Sequence, residues 1–456
     1  MLFRSWNADA TRGTGVAVTY SFMTAAPAYA QPDEKSTFEA FNQAQKNATS
    51  EVLGRYASII NVTFSEVSDA GDGGLLRFGR NTQGPATSGY ASYPRSSPEG
   101  GDVWIDKTDS TNDAPVAGDF GYETLVHEVG HALGLKHSFE VGTVLPTAED
   151  NHRNTVMSYS DAPFSAFRVV TFPGDGSFSY GYYTVQPETP MVYDIAALQY
   201  LYGANTSYHA GNDTYTFDPA TPFFKTIWDG GGNDTISVAN FSNGSIIDLR
   251  DGNYSSIRIP SNPMPAGFTD PNTGVYDGTN NLGIAYDAII ENAVGGSGDD
   301  TLIGNAVDNQ LEGGGGNDTL TGAAGNYTFV FAASGNGIDT VTDFGGGDRL
   351  RITGSTLSGV IGTGNGSSLA QNAVQLQSAG GLTKLFIGTN ASPGADLEID
   401  LAGVFLAGNL RVLGTDILGN VAPVAGSFAN RSARSEEHTS ELQSLAYLVC
   451  RLLLEK

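Results

Sequence analysis

Three of the six histidines of this chain fall within eleven residues, in the run His127-Glu128-Val129-Gly130-His131-Ala132-Leu133-Gly134-Leu135-Lys136-His137. On a helix, positions four apart lie one turn above the other, so His127 and His131 share a face and can hold one cation together. Glu128 follows the first of them and can reach a water at that cation. His137 lies six residues past His131, where a straight helix would turn it away. Gly134 offers a way back: glycine accepts positive φ, so the helix can stop and the chain fold to bring in a third imidazole. Three neutral imidazoles with an open fourth position are the ligand set of a catalytic zinc, not of a closed structural one. Tyr122, Leu125, Val126, Val129, Ala132, Leu133 and Leu135 give this helix an apolar face to bury.

With Thr155-Val156-Met157-Ser158-Tyr159 downstream, the run HEVGHALGLKH resembles the metzincin zinc peptidases, and the Met-Ser-Tyr form is similar to their serralysin branch. The resemblance covers about residues 1 to 410, most specifically 122–159, 191–205 and 229–350. It implies one catalytic Zn2+ on His127, His131 and His137, with Tyr159 as an extra, displaceable ligand. Met157 becomes a soft apolar floor with no bond to the metal. Serralysins usually place Pro directly after the third His, and here Ser138 stands there, which bears on the exit of the loop more than on the ligands. The chemistry expected is peptide hydrolysis. Zinc lowers the pKa of its water towards about 7. Glu128 takes the proton and passes it to the leaving amine, and Tyr159 hydrogen-bonds the developing oxyanion. Ser/His/Asp hydrolysis has little support, because no G-x-S-x-G elbow is present and His152 and His209 lack such a context.

Further along, Gly295-Gly296-Ser297-Gly298-Asp299-Asp300-Thr301-Leu302-Ile303 and Gly313-Gly314-Gly315-Gly316-Asn317-Asp318-Thr319-Leu320-Thr321 match the RTX nonapeptide G-G-x-G-x-D-x-U-x. Further units run over 304–312 and 322–330, so Leu302, Leu311, Leu320 and Phe329 form a nine-residue apolar ladder. Each unit is a turn plus a short strand, and successive strands wind into a parallel β-roll with the ladder inside. Turns two units apart stack on one side. Asp300 and Asp318 can thus hold Ca2+ between a carboxylate pair and glycine carbonyls from Gly295, Gly296, Gly298, Gly313, Gly314 and Gly316. Asn309 and Tyr327 occupy the equivalent place on the other side and should bind calcium poorly. Asp234 closes a good upstream match, and Asp213 a truncated one.

Lys and Arg number 23 against 49 Asp and Glu, a net charge of −26. That balance argues against nucleic acid as a partner, because phosphate recognition needs clustered cations. It favours divalent-cation binding, with several structural Ca2+ expected. Crowded carboxylates that repel without calcium would keep the chain loose in a low-calcium cell and fold it outside. There is no run of about 18 apolar residues, hence no expected membrane span. Met1 to Trp6 is too short and polar for a secretory signal. The resemblance then implies a secreted, extracellular monomer exported by type I secretion machinery, acting on protein and peptide substrates. Residues 434–456, which hold the single cysteine Cys450, read as an in-frame translation of a sequencing-library adapter. On that reading the genuine C-terminus and its export signal are missing.

The elements that must carry these residues give an α+β metzincin catalytic domain followed by an all-β parallel β-roll (RTX) and a C-terminal β region. The divisions are 1–205, 206–350 and 351–433, with 420–425 resembling the start of a further extracellular β-sandwich repeat. Strands are expected over 16–22, 59–67, 75–79 and 101–106, and helices over 35–56 and 191–203. Between the zinc helix and the second of these helices, only loops around the methionine turn are expected. Val103, Trp104 and Ile105 are the candidate cleft-rim strand, whose free edge would pair with an extended substrate. The rival function is a calcium-binding RTX adhesin or matrix protein with an inactive metzincin domain.

Overall fold

The computed structural model describes residues 5–7, 11–140, 142 and 144–420. Cys450, residues 434–456 and nearly all of 420–425 lie outside the described residues. The first layer is a five-stranded sheet of order β2-β1-β3-β5-β4, made of β1 (Val16–Phe22), β2 (Val62–Glu66), β3 (Leu76–Asn81), β4 (Gly89–Ala91) and β5 (Asp102–Asp106). The first, second, third and fifth strands run parallel, and β4 runs antiparallel on the outside of β5. The expectation for Val103, Trp104 and Ile105 is therefore corrected. They sit between β3 and β4 and are at most 2% exposed, so they offer no free edge. The edge belongs to β4, a three-residue strand too short to give a period-2 signal.

Two helices precede the zinc helix where one was expected. α1 (Pro32–Thr37) stops, Glu39 bridges to Arg80 beside the sheet, and α2 (Gln43–Ile59) restarts. The restart is local chemistry. Asn42 Oδ1 accepts from Gln45 N at 3.0 Å, and Gln45 Oε1 accepts from Asn42 N at 2.8 Å, a reciprocal cap. α2 packs against α3 (Phe120–Leu133), which also lies against β5. Val52, Leu53, Tyr56, Leu125 and Val129 join the buried core between them. Beyond the methionine turn the chain forms a hairpin of β6 (Ala166–Thr171) and β7 (Ser179–Thr184) before α4 (Val192–Tyr202). The expected loops between the zinc helix and α4 thus contain two strands.

The remaining strands wind between two eight-stranded sheets. Ile236, Ala293, Leu311, Phe329 and Leu350 pair successively in one sheet, and Ile247, Leu302, Leu320 and Val341 in the other, all parallel and all fully buried. This is the β-roll with its apolar ladder inside. The nine-residue period explains it: each unit crosses to the opposite sheet, so identical positions return two units later. The winding does not stop at residue 350, which lies inside the strand Arg349–Thr353. Leu397–Ala402 pairs parallel with Ile338–Val341, and antiparallel strands then extend both sheets. The all-β region after 350 is thus continuous with the roll.

Candidate active site

α3 begins where Asp119 Oδ1 accepts from Tyr122 N at 2.8 Å, and all its residues from Gly121 to Leu133 are buried. It ends at Gly134, whose φ of 112° lies in the left-handed region. The Gly134 and Leu135 N–H groups return to carbonyls of the last turn, a cap that bends the chain back. The consequence is convergence of three rings. His127 Nε2 lies 3.1 Å from His131 Nε2 and 3.2 Å from His137 Nε2, and the last two are 3.0 Å apart.

The far side of two rings fixes their proton. His127 Nδ1 donates to Val156 O and His131 Nδ1 to Leu135 O, each at 2.7 Å. Both rings then present Nε2 lone pairs to the shared centre. Burial holds the His127 pKa down at about 3, so this ring is neutral at ordinary pH. Zinc–nitrogen bonds of about 2.0–2.1 Å put tetrahedral ligands roughly 3.3 Å apart, close to the spacing found. The donor set, the tautomers and the triangle fit a zinc ion.

Glu128 lies beside this centre, buried, and its Oε2 has no hydrogen-bond partner. Burial pushes its pKa well above the ordinary carboxyl value, with Glu123 adding repulsion. The edge strand β4 touches it directly: a Cβ on Gly89 would lie 2.9 Å from Glu128 Cγ and 3.0 Å from Oε1. Sequence reasoning missed both β4 and this contact. Tyr159 is 70% exposed, yet its hydroxyl is 2.9 Å from His137 Nε2. Burial, then Glu128, raises its pKa.

Met157 is fully buried beneath α3, and a Cβ on Gly130 would meet its Sδ at 2.9 Å. Asp194 of α4 holds the turn in place. It accepts from Thr155 Oγ1 at 2.6 Å and from the N–H of Val156 and of Met191 at 2.8 and 2.9 Å. Burial pushes Asp194 up to about 6. Ser138, the departure after the third His, donates its N–H to Met157 O at 3.2 Å. A proline there could not make that bond.

In the roll, the stacked turns carry a carboxylate ladder. Asp300 Oδ1 accepts from Ser245 N at 2.6 Å, Asp318 Oδ1 from Asp300 N at 2.8 Å and Asp339 Oδ1 from Asp318 N at 3.0 Å. On the other side, Asp234 accepts from Asp213 N at 2.7 Å and Glu291 from Asp234 N at 2.7 Å. Asp348 accepts from Tyr327 N at 3.1 Å. Carboxylates thus stand either side of the Asn309 and Tyr327 gap. Asp339, Asp348 and Glu291 were missed as members, because each lies outside an intact nonapeptide.

Asp318 Oδ2 and Asp234 Oδ2 are buried without hydrogen-bond partners. Burial pushes Asp318 to about 7 and Asp339 and Asp234 to about 6. Gly314 and Gly316 adopt φ of 93° and 109°, which lets their turns stack on Gly296 and Gly298. Orphaned oxygens beside glycine carbonyls suit a hard, oxygen-seeking cation. At the head of the roll, ligand atoms of His209, Asp213 and Asp229 lie within 4.8 Å of one another. No helix among the described residues is long and apolar enough to cross a membrane.

Comparison with known proteins follows the same division. Residues 11–163 match the Matrixin family model, and residues 193–260 and 272–410 match the model for the peptidase M10 serralysin C terminal. Serralysin G of Dickeya chrysanthemi is 32% identical over 327 residues, 66% of this chain and 62% of that protein. Serralysin of Proteus mirabilis is 32% identical over 335 residues, again 66% of this chain and 62% of the relative. Metalloprotease AprA of Pseudomonas entomophila is 31% identical over 323 residues, 66% of this chain and 61% of the relative. The chain spans about three-fifths of the length of these curated relatives.

Proposed function

Since this chain belongs to the serralysin family, we propose that it is a zinc-dependent endopeptidase that hydrolyses extracellular proteins and peptides. The observation that carries this reading is the meeting of three imidazole nitrogens beside a buried carboxylate with an unpartnered oxygen. His127, His131 and His137 would hold one Zn2+, which supplies a Lewis acid and an acidified water. Glu128 would take a proton from the attacking water and deliver it to the leaving amine. Tyr159, exposed and with its hydroxyl on His137 Nε2, would leave that contact to hydrogen-bond the oxyanion. The free edge of β4 would pair with the extended substrate, whose backbone then runs past Glu128. The intact Glu128 disfavours an adhesin with an inert site, because a purely structural domain has no use for a buried base.

Several Ca2+ would sit along the roll, held by Asp234, Asp300 and Asp318 together with carbonyls of Gly295, Gly296, Gly298, Gly313, Gly314 and Gly316. The cluster of His209, Asp213 and Asp229 is a further place for a divalent cation. The catalytic unit is placed at 1–205 with the roll after it, and the protein is read as a secreted monomer leaving by a type I route.

Casein cleavage by the purified protein, with and without a zinc chelator, tests the reading beside Glu128→Ala. Turnover should fall roughly 10²–10⁴-fold in the variant while bound zinc stays at one per chain. Unchanged cleavage by Glu128→Ala sinks the mechanism.

A further inference from the structure

Two internal stretches fall outside both family matches: residues 164–192 between them and residues 261–271 within the second. They are about ninety residues apart in sequence and meet in space. Arg168 of β6 pairs with Asp270, which also accepts from the Tyr182 hydroxyl. Arg168 Nε donates to Asn262 O at 2.7 Å, and Phe178 meets Phe268 edge-on at 4.6 Å between centroids. The ion pair is only 12% exposed on each side chain, so its charges are largely spent internally.

What this junction leaves outside is aromatic. Phe172, Phe268, Tyr180 and Tyr182 are 66, 59, 42 and 39% exposed. They form one run, with Phe172 against Phe178, Phe178 stacked on Tyr180, and Tyr180 against Tyr182. Exposed aromatic area of this kind marks a binding surface more often than a solvated one. β7 adds a second feature. It pairs with β6 alone among the described residues, so alternate N–H and C=O groups along its outer edge lack a strand partner. No lysine, arginine or proline lies in Ser179–Thr184 to block that edge.

The hairpin is also rooted in the candidate cleft. β6 begins seven residues after Tyr159, and Gln186 just beyond β7 bonds the Gly118 carbonyl at 3.0 Å, next to the start of α3. We propose that this aromatic hairpin is an exosite that binds an extended, apolar and uncharged segment of a protein substrate, remote from the bond cut, by strand addition to β7 and stacking on Phe172, Tyr180 and Phe268. The proposal rests on the peptidase reading. An acidic occupant is disfavoured because the one cation of these two stretches, Arg168, is already paired on a chain of net charge −26, and the exposed rings favour an apolar one.

The test uses the calcium- and zinc-loaded full chain. Binding of labelled, reduced casein is measured by fluorescence anisotropy on a Glu128→Ala background, for the surface as it stands and for Phe172→Ser/Tyr180→Ser/Phe268→Ser. In parallel, KM for casein and kcat/KM for a six-residue peptide are measured with Glu128 intact. The triple variant should weaken casein binding and raise its KM at least tenfold, with short-peptide turnover within twofold. Gly181→Lys, at a position where an added Cβ meets nothing within 4 Å, places a charge on the edge and should weaken binding severalfold. It decides alone if the triple variant fails to fold. Casein affinity unchanged in both variants overturns the exosite, as does variant-sensitive binding of a neutral polysaccharide without casein binding. A starting protein that cleaves neither casein nor peptide overturns the peptidase reading instead, while the anisotropy still decides the surface.

Discussion

The two candidate cation sites are built on opposite plans. Around His127, His131 and His137 the candidate ligands are imidazole nitrogens, and carbonyls of Val156 and Leu135 orient two of the rings from behind. In the roll the ligands are carboxylates stacked turn on turn, each accepting a backbone N–H of the coil before it. Asp318 and Asp234 each keep one buried oxygen unsatisfied. The first site is rigid because the fold makes it so. The second should gain much of its stability from neutralisation of that charge. A nitrogen site can therefore be prepared in advance, whereas an oxygen site of this density makes stability depend on its ion.

Selective metal removal is the strongest way to break that contrast. Stripping zinc should abolish turnover and leave the near-UV and far-UV circular dichroism of the folded chain at 25 °C unchanged, because the histidine site is formed without its ion. Removing calcium should lower the melting temperature by on the order of 10–20 °C, if two ions at a hundredfold over Kd contribute about 5 kcal/mol. Circular dichroism and differential scanning calorimetry with each ion added back separate the two. A change of those spectra on zinc removal would mean that the histidine cluster is no better prepared than the roll.

The same contrast has a pH signature. In the calcium-free folded chain Asp318 keeps its proton up to about 7, and Asp339 and Asp234 keep theirs up to about 6. Unfolded carboxyls release theirs near 4. The folded state thus binds more protons between about pH 4 and 7, and calcium-free stability should fall as pH rises through that window. Calcium binds the charged form and should reverse the slope. Urea midpoints at pH 5 and 7.5, with and without calcium, check the crossing. A calcium-free chain more stable at pH 7.5 than at 5 would contradict the burial of these carboxyls.

Each region was legible to a different depth. The histidine spacing, Gly134 and the ladder Leu302, Leu311, Leu320, Phe329 are local patterns with a fixed period, and the fold follows them. β4 carries only Gly-Tyr-Ala, which has no alternation, so the cleft edge was assigned to the longer neighbour that β4 covers. Asp194 was invisible for another reason: its role is to hold a turn nearly forty residues earlier, and no spacing rule links the two. In the roll, Glu291 and Asp348 join the ladder through stacking, although the motif around them has decayed.

The contact between β4 and Glu128 sharpens the idea that the nitrogen site is prepared in advance. Gly89→Ala places a methyl 2.9 Å from Glu128 Cγ and 3.0 Å from Thr124 Cγ2, closer than packed carbons tolerate. The carboxylate must shift by a few tenths of an ångström or β4 must move outward. Turnover should fall roughly 10- to 100-fold, the usual penalty for misplacing a reacting group. Zinc content and melting temperature should stay nearly unchanged. Full activity in this variant would show that the base is not held by the edge strand.

The smallest expected effect lies at Ser138. Its N–H bonds Met157 O at 3.2 Å, and its hydroxyl reaches the same carbonyl at 3.3 Å and also donates to Asp150. These bonds tie the segment carrying His137 to the methionine turn, so they belong to the advance preparation of the nitrogen site. Ser138→Ala removes the hydroxyl bonds and should cost about 1 kcal/mol. Ser138→Pro removes the N–H as well and should cost about 1 kcal/mol more. Because the ring orientations rest mainly on Val156 and Leu135, kcat should change less than threefold in either variant, with the loss appearing in the urea midpoint. A large fall in kcat from Ser138→Ala would locate the preparation of the site in this loop, and the rigid helix would then be the lesser part of it.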